Sequence, residues 1–95
     1  MKEKAFENKI KAYIKERGGY YVKYFGCGFS TAGTPDLLCC INGKFVAIEV
    51  KSDGGKPTEL QKHKIESIQK AGGIALVVYP SDFDNLKALI NNLED

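Results

Sequence analysis

The 95-residue sequence has no apolar run long enough to span a bilayer. Its first residues, MKEKAFENKIK, are charged where a secretion signal needs its apolar segment. Both absences predict a cytoplasmic protein with no membrane partner. Zinc chemistry is poorly provided for. There are three cysteines and one histidine, and no CxxC or HxxxH spacing links Cys27, Cys39, Cys40 and His63. Cys39 and Cys40 adjoin in a strand and point to opposite faces, so they read as small buried hydrophobes and not as a disulfide framework. The net charge of +2 does not by itself point to a nucleic-acid partner. No repeat, low-complexity tract or linker interrupts the chain, which predicts a single domain over residues 1–95.

What remains is an ordinary folding composition, 43% hydrophobic and 27% charged. Phe6, Ile10, Tyr13 and Ile14 recur at helical spacing, so residues 3–17 read as an amphipathic helix stopped by Gly18-Gly19. Residues 1–17 carry six basic and three acidic side chains, a local net of +3 that fits a solvated face or a phosphate-binding one. Residues 20–25 are aromatic and β-branched, a strand, and GCGFSTAGT after them is a glycine-rich loop. Two short apolar runs, Leu37 to Ile41 and Phe45 to Val50, flank the hairpin signal Asn42-Gly43. Thr58 and Gln61 fit a capping box that opens a helix running to Ala71. Residues 74–79 read as a strand covered on both faces, Pro80 ends it, and Ser81 is placed to cap a last helix bearing Phe83, Leu86, Ile90 and Leu93. The order is α-β-β-β-α-β-α, with the third and fourth strands joined through a helix as a right-handed parallel unit.

A two-residue turn at Asn42-Gly43 sets the hairpin register. Cys40 faces Phe45, Leu38 faces Ala47 and, continuing, Asp36 faces Glu49. Side chains alternate along a strand, so Asp36, Glu49 and Lys51 share one face. Opposed carboxylates with Cβ atoms about 5 Å apart repel. A divalent metal between them removes the conflict. Mg²⁺ takes one or two carboxylates with water and substrate phosphate, a set suited to phosphodiester hydrolysis, and Mn²⁺ is expected to substitute. Lys51 is placed to orient the attacking water or to neutralise developing charge; alternatively it makes a plain salt bridge with either acid. Glu7, at the edge of the first helix's buried face, is either a third acidic ligand, direct or through water, or the i,i+4 partner of Lys11. Gln61 shares a face with Ile65 and Ile68 and either looks into the site or serves the capping box.

Pro35-Asp36 followed by Glu49-Val50-Lys51 resembles the PD-(D/E)XK nuclease signature, and the element order matches that superfamily's restriction-endonuclease-like α/β core, αβββαβ with a mixed sheet flanked by helices. GTPDLL, the short hairpin, IEVKS and LQKHKIESIQKAGG resemble the VRR-NUC domain in its minimal stand-alone bacterial and phage forms. The resemblance runs from Glu7 to about Pro80. It implies that Glu7, Asp36 and Glu49 bind metal with the backbone carbonyl of Val50, that Lys51 is the catalytic lysine, and that Gln61 is an auxiliary site residue. It further implies a homodimeric, structure-selective DNA nuclease akin to Holliday junction resolvases, in a bacterial cell or phage-infected host. The rival readings are a nuclease on duplex or flap DNA and a non-catalytic nucleic-acid-binding module.

Overall fold

A computed structural model describes residues 2–25 and 32–93. Its elements follow the expected order: α1 (Glu3–Glu16), β1 (Tyr20–Lys23), β2 (Leu37–Ile41), β3 (Lys44–Val50), α2 (Glu59–Lys70), β4 (Ile74–Val78) and α3 (Phe83–Asn92). The four strands form one mixed sheet in the order β1-β2-β3-β4, antiparallel except for the parallel pair β3 and β4. Most of the GCGFSTAGT loop lies outside the described residues.

The two faces of the sheet are buried by different helices. Odd-numbered residues of β2, with Val46, Ile48 and Val50 of β3 and Val78 of β4, pack against Phe6, Ile10 and Ile14 of α1 and Leu86 and Ile90 of α3. Leu38, Ala47, Ala75 and Val77 on the other face meet Ile65 and Ile68 of α2. This explains the continuous burial from Val46 to Val50, where alternation in sequence would otherwise leave one side wet.

The hairpin register is the one counted from the turn: Ile41 opposite Lys44, Cys40 opposite Phe45 and Leu38 opposite Ala47. Asn42 (φ 49°) and Gly43 (φ 78°) both take left-handed backbone, as a two-residue hairpin turn requires. The Asn42 side-chain amide also donates to the Leu93 carbonyl, tying the turn to the end of α3.

Two local expectations are corrected. Cys39 is buried but Cys40 is exposed, because α2 covers the β3–β4 half of its face and not the β1–β2 half. Ser81 does not cap α3. It lies in a 3-10 turn, Pro80–Asp82, and Asp82 precedes the helix, its Oδ2 accepting the Tyr79 N–H at 3.0 Å.

Candidate metal centre

The backbone delivers Asp36 to Glu49. The β1–β2 ladder extends past its last paired residues through a hydrogen bond from the Tyr24 N–H to the Asp36 carbonyl at 2.8 Å. Asp36 is thereby held one step before β2, opposite Glu49 near the end of β3. Its Oδ2 accepts the Val50 N–H at 2.8 Å, which fixes the carboxylate against the neighbouring strand. Upstream, Gly33 runs so close to the first turn of α2 that a Cβ there would lie 2.8 Å from Leu60 Cγ and 2.9 Å from its carbonyl oxygen, and its φ is +86°. Only glycine lets the chain pass this point on its way to Asp36.

Glu49 is 3% exposed. Its Oε2 receives the Gln61 side-chain amide at 3.2 Å and lies 3.3 Å from Lys51 Nζ. Its Oε1 is buried and makes no hydrogen bond among the described residues. Burial, reinforced by the nearby Asp36 carboxylate and opposed by Lys51, pushes the Glu49 carboxyl up to about 7. A buried carboxylate oxygen without a donor, beside a second carboxylate, is the environment that a divalent cation satisfies, and the all-oxygen donor set suits a hard ion such as Mg²⁺. The residues fit the ion. Val50 adds a further donor: its N–H points to Asp36, and in an extended strand the carbonyl of the same residue points to the same neighbour.

Glu7 reaches this end of the sheet from the α1 side. It is 3% exposed, and its Oε2 lies 3.0 Å from Lys11 Nζ, the expected i,i+4 pair. A second cation, unforeseen in the sequence, meets its other oxygen: Lys23 Nζ of β1 is 2.7 Å from Glu7 Oε1 and 3.5 Å from Asp36 Oδ1. Burial works against the charge of both groups, but hydrogen bonding between them prevails, lowering the pKa of Glu7 and raising that of Lys23. Among the described residues no three His, Cys, Asp or Glu side chains converge as a metal cluster. Lys23 is the residue that sequence reasoning missed. Its signal was register: it pairs with Leu37, next to Asp36.

Gln61 takes both of the positions that the sequence left open, in the cap and facing Glu49. Its backbone N–H donates to Thr58 Oγ1 at 3.1 Å, its Oε1 accepts the Thr58 N–H at 2.8 Å, and its Nε2 is left to face Glu49.

The sequence profile of the archaeal Holliday junction resolvase (Hjc) family matches residues 1–82. The chain belongs to that family. A phage protein named "Putative nuclease p44", from Acyrthosiphon pisum secondary endosymbiont phage 1, is 26% identical over 92 residues, 96% of this chain and 97% of its own. A solved VRR_NUC domain protein superposes with a TM-score of 0.76 at 23% identity, covering 98% of this chain and 88% of its own. The Holliday junction resolvase Hjc of Archaeoglobus fulgidus gives a TM-score of 0.62 at 20% identity, over 80% of this chain and 66% of its own. The fold is thus the restriction-endonuclease-like one, and the Hjc-family chain is a structure-selective nuclease, a hydrolase acting on DNA. Among the described residues, no helix is long and apolar enough to cross a membrane.

Proposed function

We propose that this protein hydrolyses phosphodiester bonds at branched DNA such as four-way junctions, using Mg²⁺ or Mn²⁺, as a cytoplasmic homodimer. The observation that supports it most is the pairing of Asp36 with a Glu49 whose buried Oε1 has no hydrogen-bond donor. Asp36, Glu49 and the Val50 carbonyl would hold the ion, with Glu7 acting on Asp36 through Lys23. Bound there, the ion would supply a polarised phosphodiester and a more acidic water.

The chain's own residues do the rest. Lys51, one residue past β3 and on the same face as Glu49, has its backbone N–H on the Val78 carbonyl at 3.0 Å, so its side chain starts from a fixed strand end. Its ammonium, beside Glu49 Oε2, is placed to hold the attacking water and to balance negative charge gathering on the phosphoryl oxygens. The Gln61 amide keeps Glu49 Oε2 occupied, which directs the free Oε1 toward the ion. The Val50 N–H anchors Asp36 Oδ2, and Oδ1 lies 3.5 Å from Lys23 Nζ.

A junction resolvase must make two symmetrically placed cuts, and a two-fold dimer supplies them. The edge strand β1 offers the surface. Tyr20 (69% exposed), Val22, Cys40 and Phe45 lie on one face of β1, β2 and β3 and leave apolar area open beside α2. The last helix, by contrast, turns Leu86 and Ile90 into the core.

Incubation with linear, flap and four-way-junction DNA, each with Mg²⁺, Mn²⁺ or EDTA, tests the proposal. Junction cleavage with either metal and none in EDTA is expected. Preferential cutting of flap or linear duplex would transfer the activity to repair- or restriction-type substrates, and binding without cleavage in Mn²⁺ would make the protein a non-catalytic module. Light scattering with and without junction DNA reads the dimer. A strict monomer in both conditions would overturn the symmetric-resolvase reading.

A further inference from the structure

Two carboxylates flank Asp36 on different sides, and their surroundings are unlike. On the α2 side, Glu49 shares one nearby ammonium, that of Lys51, with an acidic neighbour, and its Oε1 has no donor. On the α1 side, Glu7 Oε2 is likewise buried without a hydrogen bond among the described residues, but it has Lys11 Nζ at 3.0 Å and Lys4 Nζ at 3.9 Å, and Oε1 has Lys23 Nζ at 2.7 Å. The first surrounding is short of positive charge. The second has more than enough.

Lys23 stands at the boundary. Its Nζ spans Glu7 Oε1 and Asp36 Oδ1, the two oxygens a cation would need in order to bridge the acids on the α1 side. Neighbouring structure fixes it there: Lys23 is the last residue of β1, paired opposite the fully buried Leu37, and its side chain is 21% exposed. An ion entering between Glu7 and Asp36 would have to displace an ammonium already hydrogen-bonded to a buried carboxylate, and would meet Lys11 behind it. Both terms oppose entry. An ion between Asp36 and Glu49 meets a Glu49 Oε1 with no donor of its own and relieves a repulsion between carboxylates.

We propose that Lys23 is a built-in cation filling the position between Glu7 and Asp36, so that the site takes one divalent ion, at Asp36, Glu49 and the Val50 carbonyl, and excludes a second. Glu7 is then a positioning residue: it holds Lys23, and Lys23 holds Asp36 Oδ1. This rests on the metal reading given above and deepens it by fixing the number of ions and the acid that does not touch them.

The test counts ions. Mn²⁺ binding is followed by calorimetry and by the electron-spin signal of free Mn²⁺, on the metal-free full-length protein, with no DNA and no turnover. Wild type is expected to bind one Mn²⁺ per chain. Lys23→Ala opens the Glu7–Asp36 gap and should raise the count to two, Lys23→Arg should keep it at one, and Lys23→Ala with Glu7→Gln should return it to one. Glu7→Gln alone leaves Lys23 beside Asp36 and should keep the count at one. Should Lys23→Ala fail to fold, Lys23→Met, which keeps the apolar stem and removes only the ammonium, should raise the count in its place. Two ions in wild type, or one in the folded ammonium-free variant, would overturn the role of Lys23 while leaving metal binding intact. No Mn²⁺ bound by wild type would instead remove the metal reading on which it rests.

Discussion

The side-chain amide of Gln61 has its orientation decided by a residue three positions away: because the Thr58 N–H can only donate, it takes Gln61 Oε1, and Nε2 must face Glu49 Oε2. A helix cap therefore also sets the donor that meets a proposed metal ligand. Thr58→Ala removes the side-chain half of the capping box and loosens the other half. A stability loss of about 1 kcal/mol is expected from the cap alone. A fall in kcat should accompany it as Gln61 loses its fixed orientation, with Gln61→Ala giving the larger fall. Thermal melting and junction-cleavage rates measured side by side would show whether the two effects travel together.

Asp36 and Glu49 should behave differently when neutralised, although both substitutions should abolish cleavage. Glu49→Gln takes a charge from a crowded, buried position, so the metal-free protein should hold its Tm or gain. In Asp36→Asn one oxygen must serve either the Val50 N–H or Lys23, and the amide meets the other donor. A loss of about 1–3 kcal/mol is expected from that conflict. Calorimetry in EDTA at pH 8 distinguishes them, and equal Tm values would contradict the asymmetry.

Glu49 gives the metal-free protein a pH signature. Its carboxyl is pushed up to about 7 in the folded state, against an ordinary value of 4.5. Between these values the folded chain holds a proton that the unfolded chain has released, so stability falls as pH rises from about 4.5 through about 7. Glu7 works with the opposite sign, since its folded pKa is lowered and its contribution fades only as pH drops below the ordinary value. Denaturant titrations in EDTA between pH 5 and 8 should show the decline in wild type and flatten it in Glu49→Gln. The same slope in both would assign the titration to another group.

Lys51→Ala should leave Mn²⁺ affinity largely unchanged, because an ammonium is not a ligand, and slow cleavage by orders of magnitude. Coincident loss of metal binding and activity would make Lys51 structural.

Much of this was legible in the sequence, for reasons that differ by element. The hairpin was readable because Asn42-Gly43 permits one turn type and thereby one register, and register is what opposes Asp36 to Glu49. The α2 start was readable because Thr58 and Gln61 carry both halves of a reciprocal cap. Cys40 was misjudged because exposure depends on how far α2 reaches across the sheet, which strand alternation does not encode. Ser81 was misplaced because Pro80 opens a 3-10 turn that moves the start of α3 by one residue. Lys23 was passed over because a lysine at a strand end reads as solvated until the partner strand puts it beside Glu7 and Asp36.

The turn at Asn42-Gly43 lies six residues from Asp36 along β2, roughly 20 Å at the rise of an extended strand. It touches nothing at the proposed centre, yet it works as a reading frame for the active site. One residue inserted there and taken up in β2 would shift the pairing by a single step and send Asp36 to the α1 face, leaving Glu49 without its partner. Two residues would restore the parity of faces but displace the acid along the strand. Loss of cleavage on single insertion at an exposed loop tip, with the helices still folded, would thus be a frameshift read in three dimensions.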